Sequence, residues 1–161
     1  MGQDFDRYDI VLIVGNYGSG KSQIARELFS ERKRVDRHEL RHHLKEMTGH
    51  GERWSPADWD EDLEGLIKHI EYDIIVHFLE RNDKIVIDNT SLTRESRKRY
   101  VDYARKFHRS IACIYLKRNG STLLEQNKTR EYPVPEPVIV QLLARTEEPS
   151  QNEGFGTVVI M

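Results

Sequence analysis

Gly15-Asn16-Tyr17-Gly18-Ser19-Gly20-Lys21-Ser22 is the stretch on which the reading of this chain turns. Its spacing is G-x-x-x-x-G-K-S, the phosphate-loop pattern. The apolar run Ile10-Val11-Leu12-Ile13-Val14 precedes it, and Ile24, Ala25, Leu28 and Phe29 follow at helical spacing. Strand, loop and helix therefore come in the order such a loop requires. Glycines permit positive φ and a close approach of backbone to phosphate oxygens. The loop N–H groups and the helix start then make an anion site. All eight residues from Gly15 to Ser22 are expected nucleotide contacts. Lys21 should reach the β- and γ-phosphates, and the Ser22 hydroxyl should ligate Mg²⁺. ATP and Mg²⁺ are the expected cofactors. The pattern leaves the phosphate acceptor open.

Working outward, Tyr8 to Val14 reads as a buried parallel strand, continuously apolar and ending in glycine. Lys21 to about Ser30 is the following helix. Glu31 to Val35 is an edge-like strand leading into Asp36. Residues 38–47 set Leu40, Leu44 and Met47 at helical spacing, and the glycines of Thr48-Gly49-His50-Gly51 should stop that helix. Trp54 and Trp59 lie in a polar loop over 52–60 and are expected to pack on its own base. Glu61 to Glu80 is the longest helix, with Leu63, Leu66, Ile67, Ile70, Ile74 and Phe78 on its apolar face.

Lys84 to Asp88 is a strand with an acid at its end. Thr93 should cap the next helix, which faces Tyr100, Val101, Ala104 and Phe107 inward. Ser110 to Leu116 is a strand, Thr122 to Lys128 a short helix, and Pro133, Pro135 and Pro137 open a last helix. In that helix Val138, Ile139, Leu142 and Leu143 should face inward, and Gly156 to Met161 is the final strand. Strands alternating with helices predict a three-layer α/β fold, the P-loop kinase type, around a mostly parallel sheet. Right-handed crossovers gather the functional loops at the carboxyl edge of that sheet.

The 161 residues read as one domain, 1–161, with no repeat or low-complexity tract. Apolar residues are 37% and charged residues 32%, a globular balance and not a disordered one. A net charge of −2 argues against non-specific coating of duplex nucleic acid, while a local basic groove remains compatible. The lone cysteine, Cys113, sits in an apolar run and reads as a core thiol. That fits a reducing compartment, cytoplasmic or nuclear. No run reaches membrane-spanning length, and the acidic start Met1 to Asp6 lacks an apolar signal region.

Several positions converge on the carboxyl edge: the phosphate loop, Asp36 to Arg41, Asp88-Asn89-Thr90, and Arg130. Four stretches there resemble the polynucleotide 5′-hydroxyl kinases, the end-healing kinases. They are the phosphate loop; Val35-Asp36-Arg37-His38-Glu39-Leu40-Arg41; Val86-Ile87-Asp88-Asn89-Thr90 with Ser96-Arg97-Lys98-Arg99-Tyr100-Val101; and Asn127-Lys128-Thr129-Arg130 with Val134-Pro135, Val138, Glu147-Glu148-Pro149 and Glu153-Gly154-Phe155.

The resemblance implies an ATP- and Mg²⁺-dependent kinase acting on the 5′-OH end of RNA or DNA. It also implies that the chain can be one domain of a larger end-healing protein. It makes Arg130 the lid arginine on the ATP phosphates and Arg41 an acceptor-phosphate arginine. Asp88, Asn89 and Thr90 fall on the acceptor side, and Asp88 is also suited to hold a Mg²⁺ water. The family's general base is an aspartate three residues before the arginine, which here is His38. Either Asp36 takes that role with a shifted loop, or His38 does, with Glu39 a third candidate. Asp36 is the first choice, because an aspartate can orient a hydroxyl and hold a Mg²⁺ water. The bland alternative is that Asp36 caps the helix after it.

Two basic clusters, Arg32 to Lys45 and Arg94 to Arg99, flank the expected acceptor side or else are solvated helix faces. Two other functional classes stay open: a P-loop kinase of nucleosides, sugars or metabolites, and an ATP-binding module with little catalysis.

Overall fold

The computed structural model describes residues 5–50 and 53–161. The acidic start at 1–4 and Gly51 of the expected glycine stop lie outside the described residues.

Five strands form one sheet in the order β2-β3-β1-β4-β5. They are β1 (Ile10–Val14), β2 (Lys33–Val35), β3 (Ile85–Asp88), β4 (Ile111–Tyr115) and β5 (Thr157–Ile160). Every pairing is parallel, so the expectation of a mostly parallel sheet is met without an antiparallel strand. β1 is buried along its whole length because it lies at the centre, between β3 and β4. This explains its unbroken apolar run: a central parallel strand faces protein on both sides.

Alternate residues of the strands feed two cores. Ile10, Leu12, Ile85, Ile87, Ile111 and Cys113 pack with Ile75, Leu79, Tyr100 and Val101 on one face. Val11, Ile13, Val86 and Ile114 pack with Ala25 and Phe29 on the other. The first face is covered by α3 (Glu61–Glu80) and α4 (Arg94–Lys106), the second by α1 (Lys21–Leu28). The Cys113 thiol is buried, and that burial pushes its pKa up to about 12, as a core thiol requires. A third, smaller cluster of Leu123, Val134 and Ile139 joins α5 (Gly120–Lys128) to α6 (Glu136–Ala144), with Tyr17 of the phosphate loop against it.

Three helices differ in detail from the expectation. α2 (Arg37–Lys45) runs on into one π-helical turn, Glu46–His50, instead of stopping before it, and Met47 is exposed. Its buried positions are Arg41, His42 and Leu44. α3 has the expected bounds but a rotated face. It buries Glu64, Ile67, Glu71, Ile75 and Leu79, while Leu66 is exposed. Two glutamates turn inward because they meet buried arginine, amide and phenol partners. In α6, Ile139 is buried but Leu143 is exposed. Thr93 does cap α4, accepting from Ser96 N while Ser96 Oγ accepts from Thr93 N. Among the described residues no helix is long and apolar enough to cross a membrane.

Candidate functional site

The phosphate loop leaves β1 at the centre of the sheet and enters α1. Gly18 and Gly20 take φ of 80° and 92°, a region that side chains disfavour. A Cβ on Gly18 would sit 2.6 Å from the Leu123 carbonyl, so α5 can approach the loop only over a glycine. A Cβ on Gly20 would meet nothing within 4 Å, which leaves open space over the start of α1. Gly15 N donates to Thr90 O at 3.1 Å, tying the loop to the turn after β3. Asn16 is buried; its Nδ2 donates to Ile139 O at 2.9 Å and its Oδ1 accepts from Tyr17 N at 2.7 Å. Ser19 Oγ is buried without a hydrogen-bond partner.

Lys21 Nζ donates to Asn16 O at 2.9 Å. Burial lowers its pKa, Asp88 opposes that shift and Arg130 adds to it. A buried ammonium beside an open helix N-terminus and an orphan hydroxyl is suited to an anion. The loop thus fits a polyphosphate.

Asp88 ends β3 and lies opposite Ile13 in the register, next to the strand that carries the loop. Asp36 follows β2 and caps α2, with Oδ1 accepting from His38 N at 2.8 Å. The capping alternative is therefore realised, and it leaves Oδ2 for other work. Arg34 Nη1 donates to Asp36 Oδ2 at 2.8 Å and to Asp88 Oδ2 at 2.9 Å. One guanidinium nitrogen thus holds two buried carboxylates. Burial raises the Asp36 pKa to about 6, with Asp88 adding to the rise; Arg34 and the α2 amides oppose it. Among the described residues no group of three or more His, Cys, Asp or Glu could hold a metal alone. Mg²⁺ commonly takes one or two carboxylates, waters and substrate phosphates, so Ser22 with Asp88 or Asp36 fits that habit.

A cavity of about 610 Å³ opens at this edge. It collects Tyr17, Lys21 and Ser22 from the loop and Asp36, His38, Glu39 and Arg41 from the start of α2. Asp88, Asn89, Thr90 and Arg130 complete the set. Gly15, Asn16, Gly18, Ser19 and Gly20 form the loop itself.

The two halves of the cavity are built differently. The Arg130 guanidinium sits 5.7 Å from the centre of the Tyr17 ring, beside the phosphate loop. Arg41 is gripped by Glu64 of α3: Nε bonds Oε1, and Nη2 donates to Oε2 at 2.8 Å. Its guanidinium also lies 4.8 Å from the Trp54 ring and 5.7 Å from Trp59. The tryptophans therefore do not simply pack on the base of their loop. They stack against Arg41, with Trp54 buried and Trp59 exposed.

Asn89 is in the cavity wall, but its amide is committed. Oδ1 accepts from Arg37 N at 3.0 Å, and Nδ2 donates to Glu71 Oε1 at 2.7 Å and to Tyr100 Oη at 2.8 Å. Arg37 Nε approaches Glu71 Oε1 at 3.5 Å. The Thr90 carbonyl is taken by Gly15. Asn89 thus holds the site together through its side chain and Thr90 through its carbonyl, while the side chains of Asp88 and Thr90 line the cavity.

His38 contacts His42, Tyr17 and Trp54 by ring edges. Burial first, then His42 and the cations Arg130, Arg41 and Lys21, push its pKa down to about 3. It is a neutral imidazole at ordinary pH.

The basic clusters resolve into separate duties. Arg32 is buried and donates to Phe5 O and Asp9 O, beside the start of β1 and away from the cavity. Lys45 pairs with Asp58 at 2.8 Å. Arg97 is fully buried: it makes a two-pronged bond to Glu153 at 2.8 Å and donates to the carbonyls of Ser91 and Glu147. It is a strut between α4 and the tail, not a phosphate contact. Glu64, Glu71, Tyr100 and His42 were not read as site residues. The signal for the glutamates was their seven-residue spacing, two turns of α3, on the face opposite the exposed Leu66.

Comparisons with known proteins agree on the class. A family model described as an AAA domain matches residues 10–149. The bifunctional polynucleotide phosphatase/kinase of Schizosaccharomyces pombe is 33% identical over 89 residues, 52% of this chain. That match spans 22% of the relative's length. A putative kinase from Chloroflexus aurantiacus shares the fold with a TM-score of 0.72 at 13% identity, covering 96% of this chain and 85% of its own. A gluconokinase from Sinorhizobium meliloti does so with a TM-score of 0.57 at 18% identity, covering 96% and 82%.

Proposed function

From the premise that this chain belongs to the AAA domain family, whose match spans residues 10–149, we propose that it is an Mg²⁺- and ATP-dependent kinase of a hydroxyl acceptor. The observation that carries this is one cavity shared by Lys21, Ser22, Asp36, Asp88 and Arg130. A phosphate cradle alone binds a nucleotide. A cradle facing two buried carboxylates and an arginine on the α5–α6 loop can also promote transfer of the nucleotide's last phosphate.

The geometry supports the following roles. Lys21 moves from the Asn16 carbonyl to the β- and γ-phosphates. Arg130 covers those phosphates from the α5–α6 loop, where a guanidinium can bind two oxygens and stabilise charge during transfer. Ser22 and Asp88 are the residues that would hold Mg²⁺, directly or through water. A Mg²⁺ held there would supply charge neutralisation for the β- and γ-phosphates. Asp36 orients the acceptor hydroxyl and takes its proton. Its raised pKa keeps the carboxylate basic enough for that near neutrality. Arg34 spaces Asp36 from Asp88 and prevents both from turning into solvent.

The acceptor favoured here is the 5′-OH end of RNA or DNA. Support comes from the 33% identity to a polynucleotide phosphatase/kinase and from the arginines and tryptophans on the acceptor side of the cavity. Stacking faces and cations are what a nucleotide strand needs. A second reading, a neutral metabolite acceptor, has its own observation. Arg34, Arg37 and Arg41 are all paired with acids, which weakens their pull on a polyanion.

The test is phosphate transfer from γ-labelled ATP. A 5′-OH RNA or DNA oligonucleotide should become labelled, and the same oligonucleotide already carrying a 5′-phosphate should not. Label appearing only on nucleosides or sugars would transfer the assignment to the second reading.

A further inference from the structure

The buried face of α2 carries two histidines one turn apart, and their hydrogen bonds have a direction. The backbone N–H of Trp54 donates to His42 Nδ1 at 2.9 Å. An amide nitrogen only donates, so His42 Nδ1 must present its lone pair. A ring with a bare Nδ1 cannot be the imidazolium, so His42 is neutral. Its single proton is then on Nε2. His42 Nε2 lies 3.0 Å from His38 Nε2, so His42 donates and His38 Nε2 accepts. With Nε2 accepting, His38 cannot be the cation either, and its single proton is on Nδ1. That Nδ1 is buried and has no hydrogen-bond partner in the protein. The His38 ring lines the cavity, with its centroid 6.0 Å from that of Tyr17 and 5.8 Å from that of Trp54.

We propose that His38 is a fixed hydrogen-bond donor to the acceptor substrate, offering Nδ1–H to an oxygen next to the reacting hydroxyl, and that it takes no proton during transfer. The proposal rests on the phosphotransferase reading above and assigns a role within that site. The lock is the relay from Trp54. To receive a proton at Nδ1, His38 would first have to carry its hydrogen on Nε2, pointing at the Nε2–H of His42. His42 would then have to reverse, and its Nδ1–H would face the Trp54 N–H. Either arrangement sets two donors against each other in a buried site and leaves both unsatisfied. A donor is also poorly placed on the nucleophile itself, because a hydrogen bond to that oxygen withdraws the electrons that attack phosphorus. The fitting target is a non-reacting oxygen of the acceptor, such as one of a ribose or phosphodiester. The hydroxyl proton then goes to the Asp36 carboxylate.

Nitrogen NMR of the full chain, with histidine labelled in the ring, reads the tautomer without turnover. The His38 signals are assigned by their loss in His38→Asn. At pH 7 the His38 Nδ1 should be protonated and its Nε2 bare, with His42 reversed. A bare Nδ1 on His38 overturns the proposal. Saturating 5′-OH oligonucleotide should shift the Nδ1–H proton, and an unmoved resonance also overturns it.

Kinetics supply the second reading. His38→Asn keeps an N–H donor and has no basic nitrogen, so its acceptor KM should lie closer to the native value than that of His38→Ala. His38→Ala should raise the acceptor KM about three- to tenfold, the range for one neutral hydrogen bond, with the KM for ATP unchanged. A fall in kcat of about a hundredfold for His38→Asn is what losing a base looks like, and it would overturn the donor role. A chain that transfers no phosphate at all defeats the kinase reading, while the NMR result still decides the tautomer.

Discussion

The donor half and the acceptor half of the cavity are held by different kinds of bond. On the donor side the polar contacts mostly end on main-chain atoms: Lys21 Nζ and Ser19 N on the Asn16 carbonyl within the loop, and Gly15 N on Thr90 O and Asn16 Nδ2 on Ile139 O farther off. On the acceptor side the bonds between elements are side chain to side chain, and three of them span the sequence. Arg41 meets Glu64 across 23 residues, Asn89 meets Glu71 across 18, and Arg34 meets Asp88 across 54. The cradle's inner bonds form with the strand and helix that flank it, and its two distant ties end on main-chain carbonyls. An acceptor site made of long-range ion pairs forms only when α2, α3 and β3 are all in place. Removing a donor-side group should therefore damage chemistry alone, whereas removing an acceptor-side group should damage chemistry and stability together.

The largest expected effect is on the donor side. Lys21→Ala should lower phosphate transfer by about 10²–10³-fold, the usual loss for one donor to developing charge. Its thermal midpoint should hardly move, because burial already disfavours the Lys21 ammonium in the free protein. Should native and Lys21→Ala proteins show the same negligible transfer while only the native chain binds ATP, the site is a nucleotide-binding module and not a kinase. A large drop in the midpoint would break the contrast between the halves.

Next is the grip on Arg41. Glu64→Ala leaves a buried guanidinium without its carboxylate, which typically costs about 3 kcal/mol. Urea unfolding should show that loss. The acceptor KM should rise together with it, since Arg41 would no longer be held in place against Trp54, while the KM for ATP stays put. Full stability in Glu64→Ala would mean that the acceptor side is not assembled by its ion pairs.

The same contrast explains what could be read in the chain before folding. The strand positions, the phosphate loop and the α4 cap are written in neighbouring residues, and each was legible. The α3 face was legible in part. Of the stripe Leu63, Leu66, Ile67, Ile70, Ile74 and Phe78, Ile67 is buried and Ile74 and Phe78 pack on the core, but the buried stripe also contains Glu64 and Glu71, whose partners lie on α2, on α4 and in the turn after β3. Pattern rules count a glutamate as exposed unless its partner is known. Arg97 misled for the same reason: it sits among Arg94, Lys98 and Arg99, yet its carboxylate is Glu153, 56 residues on. The Ser96–Val101 and Glu147–Phe155 stretches thus meet in one bond, Arg97 to Glu153. His38 stands where a carboxylate was expected, and only the positions of His42 and Trp54 determine which nitrogen carries its proton.

The smallest expected effect is a displacement along the pH axis, and it tests the pair Asp36–Asp88. The Asp36 carboxyl is raised from an ordinary value of 3.8 to about 6, by burial first and then by Asp88. As the proton acceptor it works ionised, so transfer should climb with pH up to about 6 and level off above it. Stability runs the other way. A carboxyl whose folded pKa exceeds its unfolded one favours the folded state fully below the unfolded value, and that contribution is lost as pH rises through about 6. Between about 4 and 6 this group should therefore gain activity while giving up stability. Arg34→Met removes the guanidinium that both acids share and should move the activity limb to higher pH, because Arg34 opposes the rise. Asp36→Asn should abolish the limb altogether. A limb that persists unchanged in Asp36→Asn would assign the proton to another group on the acceptor side. With His38 neutral and its free nitrogen protonated, Glu39 would be the remaining candidate.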